Sequence, residues 1–153
     1  MANNKLHFIY WFAYYNFDSP SVRYRAKYPL AYLKENYGIN SCLIIPSYKW
    51  VWIFKFVRAY CSALFFRKPN SLIIIQRISS NFIYANSLKL LVKLRKNNTV
   101  YDLDDAEYLE KPLETIFYFI KNCSALAVGS NELFKNLSRF NKKIFINANQ
   151  GLN

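Results

Sequence analysis

Glycine, histidine and paired cysteine are scarce in this chain of 153 residues, and each shortage excludes a class of site. Only three glycines are present, and the segment after the first apolar run reads Phe12-Ala13-Tyr14-Tyr15-Asn16-Phe17, so the glycine-rich loop of a dinucleotide-binding domain is missing. His7, the one histidine, falls early in that run. We therefore interpret His7 as structural and expect no histidine-based triad, no metal site and no bound cofactor.

The three cysteines, Cys42, Cys61 and Cys123, form no CxxC pair and lie in apolar surroundings, where a free thiol behaves as a small hydrophobic group. An odd number of cysteines without a secretory signal predicts a reducing cytoplasm. No stretch reaches the roughly 18 apolar residues that a membrane-spanning helix needs. The sequence therefore predicts a cytoplasmic protein that does not cross a membrane.

Acidic residues are also few, nine against 21 Lys and Arg, which gives a formal net charge of +12. Such an excess favours anionic partners, namely nucleic acid, acidic lipid headgroups or phosphorylated substrates. The alternative is a solvated basic surface without a partner.

Short apolar runs alternate with longer helical patterns along the whole chain. The runs are Leu6 to Phe12, Ser41 to Ile45, Ser71 to Ile75, Thr99 to Leu103, Ala125 to Gly129 and Lys143 to Ile146. Each is apolar on both faces, which is typical of parallel strands covered by helices. The pattern predicts one α/β domain over residues 1–153, a doubly wound parallel sheet of about six strands with helices on both faces.

The segments between the runs carry helix signals. Ser19-Pro20 is a helix start and Tyr37-Gly38 a stop, so Pro29 between them either kinks this helix or begins it. We expect further helices over Trp50 to Phe66, Phe82 to Arg95 and Leu113 to Ile120.

Three carboxylates lie within four positions at the end of the fourth run, Asp102 inside it and Asp104 and Asp105 just after it. Strand alternation predicts that Asp102 and Asp104 share one side, with Asp105 at the turn. Carboxyl ends of parallel strands form the ligand site of open α/β sheets. Clustered carboxylates bind a divalent cation, act as nucleophile or base, or hold sugar hydroxyls. The alternative is that one caps the next helix and the others are solvated.

Other candidate ligand residues also stand near predicted strand ends. Arg23 and Arg25 follow the first strand near a helix start, a favourable place for phosphate or carboxylate, although a basic helix face explains them nearly as well. Arg77 closes the third strand and is expected to bind a ligand or pair with an Asp. Ser130 follows the fifth strand.

Trp50 to Phe66 is strongly aromatic, and Lys55, Arg58 and Ser62 share one stripe at helical spacing. A basic aromatic composition of this kind is typical of helices that lie in a membrane interface. The alternative is a helix buried on the sheet with that stripe as its wet edge.

The order and spacing of several motifs resemble the N-terminal domain of GT-B glycosyltransferases, specifically the large retaining family-4 group. The similar segments are Ser21-Val22-Arg23-Tyr24-Arg25, Ile75-Gln76-Arg77, Val100-Tyr101-Asp102-Leu103-Asp104-Asp105, Ala127 to Leu133 and Ile144 to Gly151. Two departures are the lack of a His at a strand end and Asn149-Gln150-Gly151, where the family has Asn-Gly.

The resemblance implies that this domain binds a glycan or lipid-linked acceptor, with Asp104 and Asp105 as catalytic residues and Arg23 and Arg77 on the acceptor side. The remaining substrate-binding candidates are Arg25, Asp102, Ser130 and Asn149. A nucleotide-sugar donor would bind mainly to a C-terminal domain, which we do not find before Asn153. We therefore expect no sugar transfer by this chain alone. Surface polysaccharide synthesis at the inner face of the cell membrane, as a peripheral protein, is the implied setting.

Two alternatives remain from other functional classes. Asp102-Leu103-Asp104-Asp105 also resembles the first motif of haloacid-dehalogenase-like phosphatases, but that motif stands near the chain start, and Ala106 replaces its Thr. A non-enzymatic basic protein that binds nucleic acid or membrane would need aromatic side chains exposed beside Lys and Arg. Most aromatic residues fall inside the predicted strands and helices, which argues against nucleic acid.

Overall fold

The computed structural model of the chain describes residues 6–14, 16–46, 49–65, 70–78, 82–95, 98–104 and 114–146. The strands are β1 (Phe8–Phe12), β2 (Asn40–Ile44), β3 (Ser71–Gln76), β4 (Thr99–Leu103), β5 (Ala125–Val128) and β6 (Ile144–Ile146). They form one six-stranded parallel sheet in the order β2-β1-β3-β4-β5-β6. This confirms the predicted doubly wound α/β class, and all six apolar runs are strands.

Helices occupy the segments between the strands. They are α1 (Pro20–Val22), a π-helical turn (Arg23–Lys27), α2 (Tyr28–Tyr37), α3 (Trp50–Phe65), α4 (Phe82–Leu94), α5 (Glu114–Asn122) and α6 (Asn131–Leu137). The predicted start and stop of the first helical segment are confirmed. Ser19 Oγ accepts a bond from the Val22 N–H at 3.4 Å, and Gly38 ends α2 with a left-handed φ of +67°.

Pro29 explains the π-helical turn that precedes it. Proline has no N–H, and in a regular helix its ring clashes with the carbonyl four residues earlier, here that of Arg25. The chain widens by one residue, so that the Tyr28 N–H bonds to the Arg23 carbonyl, and α2 then begins with Pro29 in its first turn. Of the two expectations for Pro29, the one in which a helix begins there is confirmed.

The chain forms two compact units, residues 1–75 and 76–153. In the first unit β1 is central and pairs in parallel with both β2 and β3. Alternate residues of β1 face opposite sides. Ile9 and Trp11 join a buried cluster with Val22, Ala26 and Leu30 of the first helical segment.

The other face of β1 carries α3. The Tyr10 hydroxyl lies 2.7 Å from Ser62 Oγ, and the Phe12 ring meets Phe56 edge to face at 6.2 Å between centroids. The first unit therefore has helices on both faces, as predicted. From β1 the chain runs to β2 on one side and then crosses to β3 on the other side of β1. The direction in which strands are added to the sheet therefore reverses between β1 and β3.

In the second unit β4, β5 and β6 pair in parallel. Tyr101 of β4 stacks on Phe119 of α5 at 5.2 Å between centroids, and the Tyr118 hydroxyl donates to the Lys89 carbonyl of α4 at 3.1 Å. Asn141 donates to the carbonyls of Ile120 and Cys123, which ties the chain after α6 to the end of α5. These contacts place α5 against the side of β4 that carries Tyr101.

Candidate functional site

Asp102 of β4 is assigned to the face of the strand away from α5. Tyr101 and Leu103 are buried towards that helix, so Asp102 and Asp104 point to the opposite side by strand alternation. That the two aspartates share one side stays a prediction from this alternation. Asp102 is only 2% exposed, whereas the Asp104 side chain, one residue beyond the strand, is 19% exposed. Asp104 is therefore the carboxylate of the pair that solvent or a ligand reaches.

Arg77 follows β3 directly and adopts an unusual backbone conformation. Its φ is +47°, in the left-handed region that a residue with a Cβ enters at a cost of about 1–2 kcal/mol. The Arg77 N–H donates to the Asp102 carbonyl at 3.0 Å, which supports this conformation. Strain of this kind persists only where surrounding contacts hold it, and it concentrates at functional sites.

The left-handed turn brings the guanidinium of Arg77 to the carboxylate of Asp104. Nη1 lies 3.7 Å from Oδ1, and the two side chains are 16% and 19% exposed. At this separation the two groups attract each other as ions, and the distance exceeds that of a direct hydrogen bond. Of the two roles predicted for Arg77, pairing with an Asp is confirmed, and ligand binding stays a prediction.

Gly129, which follows β5, determines how closely the neighbouring chain approaches Asp104. A Cβ on Gly129 would lie 2.7 Å from the Asp104 carbonyl oxygen and 3.1 Å from its Cα. The Gly129 N–H donates to the Leu103 carbonyl at 3.1 Å. Ala127, two residues earlier, stands beside Asp102 in the ladder. Ala127 of β5 and Gly129 just after it thus lie beside Asp102 and Asp104. The sequence analysis assigned no such role to Gly129, although glycine is rare in this chain.

Ser130 acts as the N-cap of α6. Its Oγ accepts a bond from the Leu133 N–H at 3.2 Å, and its backbone is extended. This local task explains the residue type at the strand end. Its role as a substrate ligand stays a prediction.

Arg23 and Arg25 belong to the π-helical turn of the first unit. Arg25 is 7% exposed, so little of its side chain is open to a ligand from solvent. Arg23 Nε is buried without a hydrogen-bond acceptor among the described residues, and the guanidinium carbon lies 5.9 Å from the Tyr24 ring centroid. Substrate binding by either arginine stays a prediction.

Three further sequence predictions concern Asp105, Asn149 and His7. Asp105 and Asn149 lie outside the residues that the structure describes. His7 stands at the start of β1, where its N–H donates to the Asn70 carbonyl at 3.2 Å. Within the described ranges, no three His, Cys, Asp or Glu side chains come together as a metal site.

Arg77 and Asp104 together offer both kinds of hydrogen-bonding group. The guanidinium donates hydrogen bonds and the carboxylate accepts them. Both side chains are partly exposed, Arg77 just after β3 and Asp104 just after β4. Sugar hydroxyls donate and accept, so this pair suits them, and Arg77 also suits a phosphate. Among the described helices, none has the length and apolar character to cross a lipid bilayer. No protein-family model and no curated protein matches this chain.

Proposed function

We propose that this chain is the acceptor-binding domain of a GT-B glycosyltransferase, which holds a glycan or lipid-linked acceptor while a sugar is transferred from a nucleotide-sugar. The observation that carries the proposal is the left-handed turn at Arg77, which keeps its guanidinium 3.7 Å from Asp104 at the end of a parallel strand. The parallel sheet supports the proposal because open α/β sheets bind ligands at this edge.

The proposed roles follow from the chemistry of the two side chains. Asp104 accepts a hydrogen bond from an acceptor hydroxyl, and Arg77 donates to a neighbouring oxygen of the sugar or of its phosphate link. Asp105 is proposed as the second catalytic carboxylate on the strength of the motif alone. Asp102, Ser130, Arg23, Arg25 and Asn149 complete the proposed acceptor side, and the nucleotide-sugar belongs mainly to the second domain of such enzymes.

The proposed place of work is the inner face of the cell membrane, where the protein is peripheral. A net charge of +12 supports this location because the headgroups of acidic lipids attract cations. Lipid-linked acceptors are embedded in that surface.

Acceptor binding is tested by titrating the purified chain with short oligosaccharides and with a lipid-linked sugar in detergent, using calorimetry or NMR. The wild-type chain is expected to bind one of these classes. Arg77→Asn keeps a residue that tolerates the left-handed turn but removes the charge, and Asp104→Asn removes the carboxylate. Each substitution is expected to weaken binding roughly tenfold or more, since each removes a charged hydrogen-bonding group.

Matched controls separate binding from overall charge. Arg139→Gln and Glu132→Gln remove the same charges at exposed positions of the second unit and are expected to leave acceptor binding unchanged. A folded wild-type chain that binds no sugar of either class contradicts the proposal. Magnesium-dependent cleavage of a simple phosphate ester, abolished by Asp104→Asn, would favour the phosphatase alternative instead.

A further inference from the structure

The outward face of α3 is apolar and open to solvent. Trp50 is 85% exposed, Phe54 68%, Val57 49% and Phe65 69%, and they recur at helical spacing on one side of the helix. Large apolar side chains in soluble proteins are usually exposed singly, so a connected row of them indicates a surface with a partner. We call Trp50, Phe54, Val57 and Phe65 the α3 apolar face.

The inward side of the same helix is fixed against the sheet. Ala59 and Ala63 are buried, the Ser62 hydroxyl lies 2.7 Å from that of Tyr10, and Phe56 packs on Phe12. The alternative of a helix packed on the sheet is confirmed, and Lys55 and Arg58 of the predicted stripe are exposed, whereas placing Ser62 on the same wet edge is wrong. Ser62 contacts Tyr10 of β1, on the side of α3 that also carries Phe56.

Cations border the α3 apolar face. Lys55 and Arg58 are exposed on one flank, with the Lys55 ammonium 4.4 Å from the centroid of the Trp52 ring, and Lys49 is exposed just before the helix. No acidic residue occurs between Lys49 and Phe65. A helix with an apolar face, a tryptophan near one end and basic flanks has the composition of helices that lie in the plane of a membrane interface.

We infer that the α3 apolar face binds the surface of an anionic lipid bilayer, with the helix axis parallel to the membrane. Trp50, Phe54 and Phe65 would enter the headgroup region while Lys55 and Arg58 meet lipid phosphates. A second copy of the chain is a poorer occupant, because two-fold pairing of this face would bring the same cations together without an acidic partner on α3. Charge complementarity thus selects anionic lipid.

This inference rests on the membrane location proposed above. It is tested by a vesicle-binding assay that contains no sugar. The full chain is sedimented with vesicles of phosphatidylcholine alone and with vesicles of equal parts phosphatidylcholine and phosphatidylglycerol, at low and high salt. Binding to the anionic vesicles, weakened by salt, is expected. Phe54→Ser is expected to weaken that binding about tenfold, and Trp50→Ser combined with Phe54→Ser further.

The matched control is Tyr32→Ser. Tyr32 is an aromatic residue of α2 with 57% exposure, and α2 packs on the opposite face of β1. Its replacement is expected to leave vesicle binding unchanged, and circular dichroism confirms that each variant is folded. Trp50 fluorescence is expected to shift to the blue with anionic vesicles, and Trp50→Phe is expected to remove most of that shift while binding persists.

Several results would overturn the inference. These are equal binding of wild type and Phe54→Ser, equal binding to neutral and anionic vesicles, or a dimer in solution that Phe54→Ser dissociates while no vesicle is bound. Loss of vesicle binding in Phe54→Ser with unchanged oligosaccharide binding supports the lipid surface independently of the sugar site. Vesicle binding by a chain that binds no sugar would contradict only the proposed transferase role.

Discussion

Arg77 has a strained backbone, and its guanidinium lies beside the carboxylate of Asp104. A left-handed φ at an arginine disfavours the folded state by about 1–2 kcal/mol, and the bond from its N–H to the Asp102 carbonyl supplies part of the compensation. The same turn aims the guanidinium at Asp104. A residue without a task at this position would be replaced by glycine or asparagine at a gain in stability, so the strain points to a role for the charge.

Gly129→Ala tests the close approach of two strands at the site. The added Cβ would stand 2.7 Å from the Asp104 carbonyl oxygen, a backbone atom that cannot swing away, so β4 and β5 must separate. We expect the free energy of unfolding, measured by urea denaturation, to fall by about 1–3 kcal/mol. The amide resonance of Asp104 should move as well.

Gly38→Ala is the matched control for that substitution. A Cβ on Gly38 meets nothing within 4 Å, but φ there is +67°, so only the cost of a left-handed alanine, about 1–2 kcal/mol, is expected. The Asp104 amide should stay in place. If Gly129→Ala is as stable as the wild type and leaves Asp104 unmoved, the tight contact does not exist.

The secondary-structure elements of this chain begin and end on local signals. Ser19 and Ser130 cap helices, Gly38 ends one, and Pro29 imposes a π-helical turn on the residues before it. That turn holds Arg23 and Arg25, and π-helical turns frequently occur at functional sites. The proline therefore shapes the segment that the sequence singled out for its arginines.

Two substitutions of Ser130 separate its role as a helix cap from its proposed role in ligand binding. Ser130→Ala removes the acceptor for the Leu133 N–H, and we expect the free energy of unfolding to fall by about 1 kcal/mol. Ser130→Asn supplies another capping oxygen without the hydroxyl and should restore most of that loss. Urea denaturation of both variants checks the prediction. Should Ser130→Asn remain as unstable as Ser130→Ala, the residue does not act chiefly as a cap.

Two buried side chains with an ionisable proton, Cys123 and Tyr84, make the stability of the protein sensitive to alkaline pH. Burial raises the pKa of the Cys123 thiol from its ordinary value near 9 to about 12, against a smaller lowering by the hydrogen bond with Thr99. Burial also raises the pKa of Tyr84 well above its ordinary value of 10.0. Each group keeps its proton when folded and loses it when unfolded, so its contribution is complete below the unfolded pKa and disappears as the pH rises.

We therefore expect the free energy of unfolding to fall from about pH 9 upwards, by about 1.4 kcal/mol per pH unit for Cys123, with Tyr84 adding to the slope above pH 10. Urea denaturation between pH 7 and pH 11 measures this. Cys123→Ala should flatten the slope between pH 9 and pH 10, whereas Cys61→Ala, at a half-exposed position, serves as the control. Equal slopes in wild type and Cys123→Ala would contradict the assignment.

The predictions that succeeded from sequence rest on short-range patterns. Six runs rich in Ile, Val and Leu became strands, and a capping serine with a following proline became a helix start, because these preferences depend on neighbours only a few positions apart. The shared side of Asp102 and Asp104 rests on strand alternation alone and stays a prediction. Their functional use stays a prediction.

Residues far apart in sequence account for what the patterns missed. Periodicity placed Lys55, Arg58 and Ser62 on one stripe of α3, but a helix apolar on most sides does not reveal which side meets the sheet. Ala59 and Ala63 are buried, whereas Phe54 and Phe65 lie on the exposed side. Likewise, Gly129 is needed because the backbone of Asp104, 25 residues earlier in the sequence, leaves no room for a Cβ.

The amino-acid order alone was sufficient for the α/β class, the number of strands and the helix caps, since each arises from interactions within a few residues. Packing decided the strand order, the left-handed turn that joins Arg77 to Asp104 and the outward face of α3. These features depend on which distant segments compete for the same space, and no local preference carries that information.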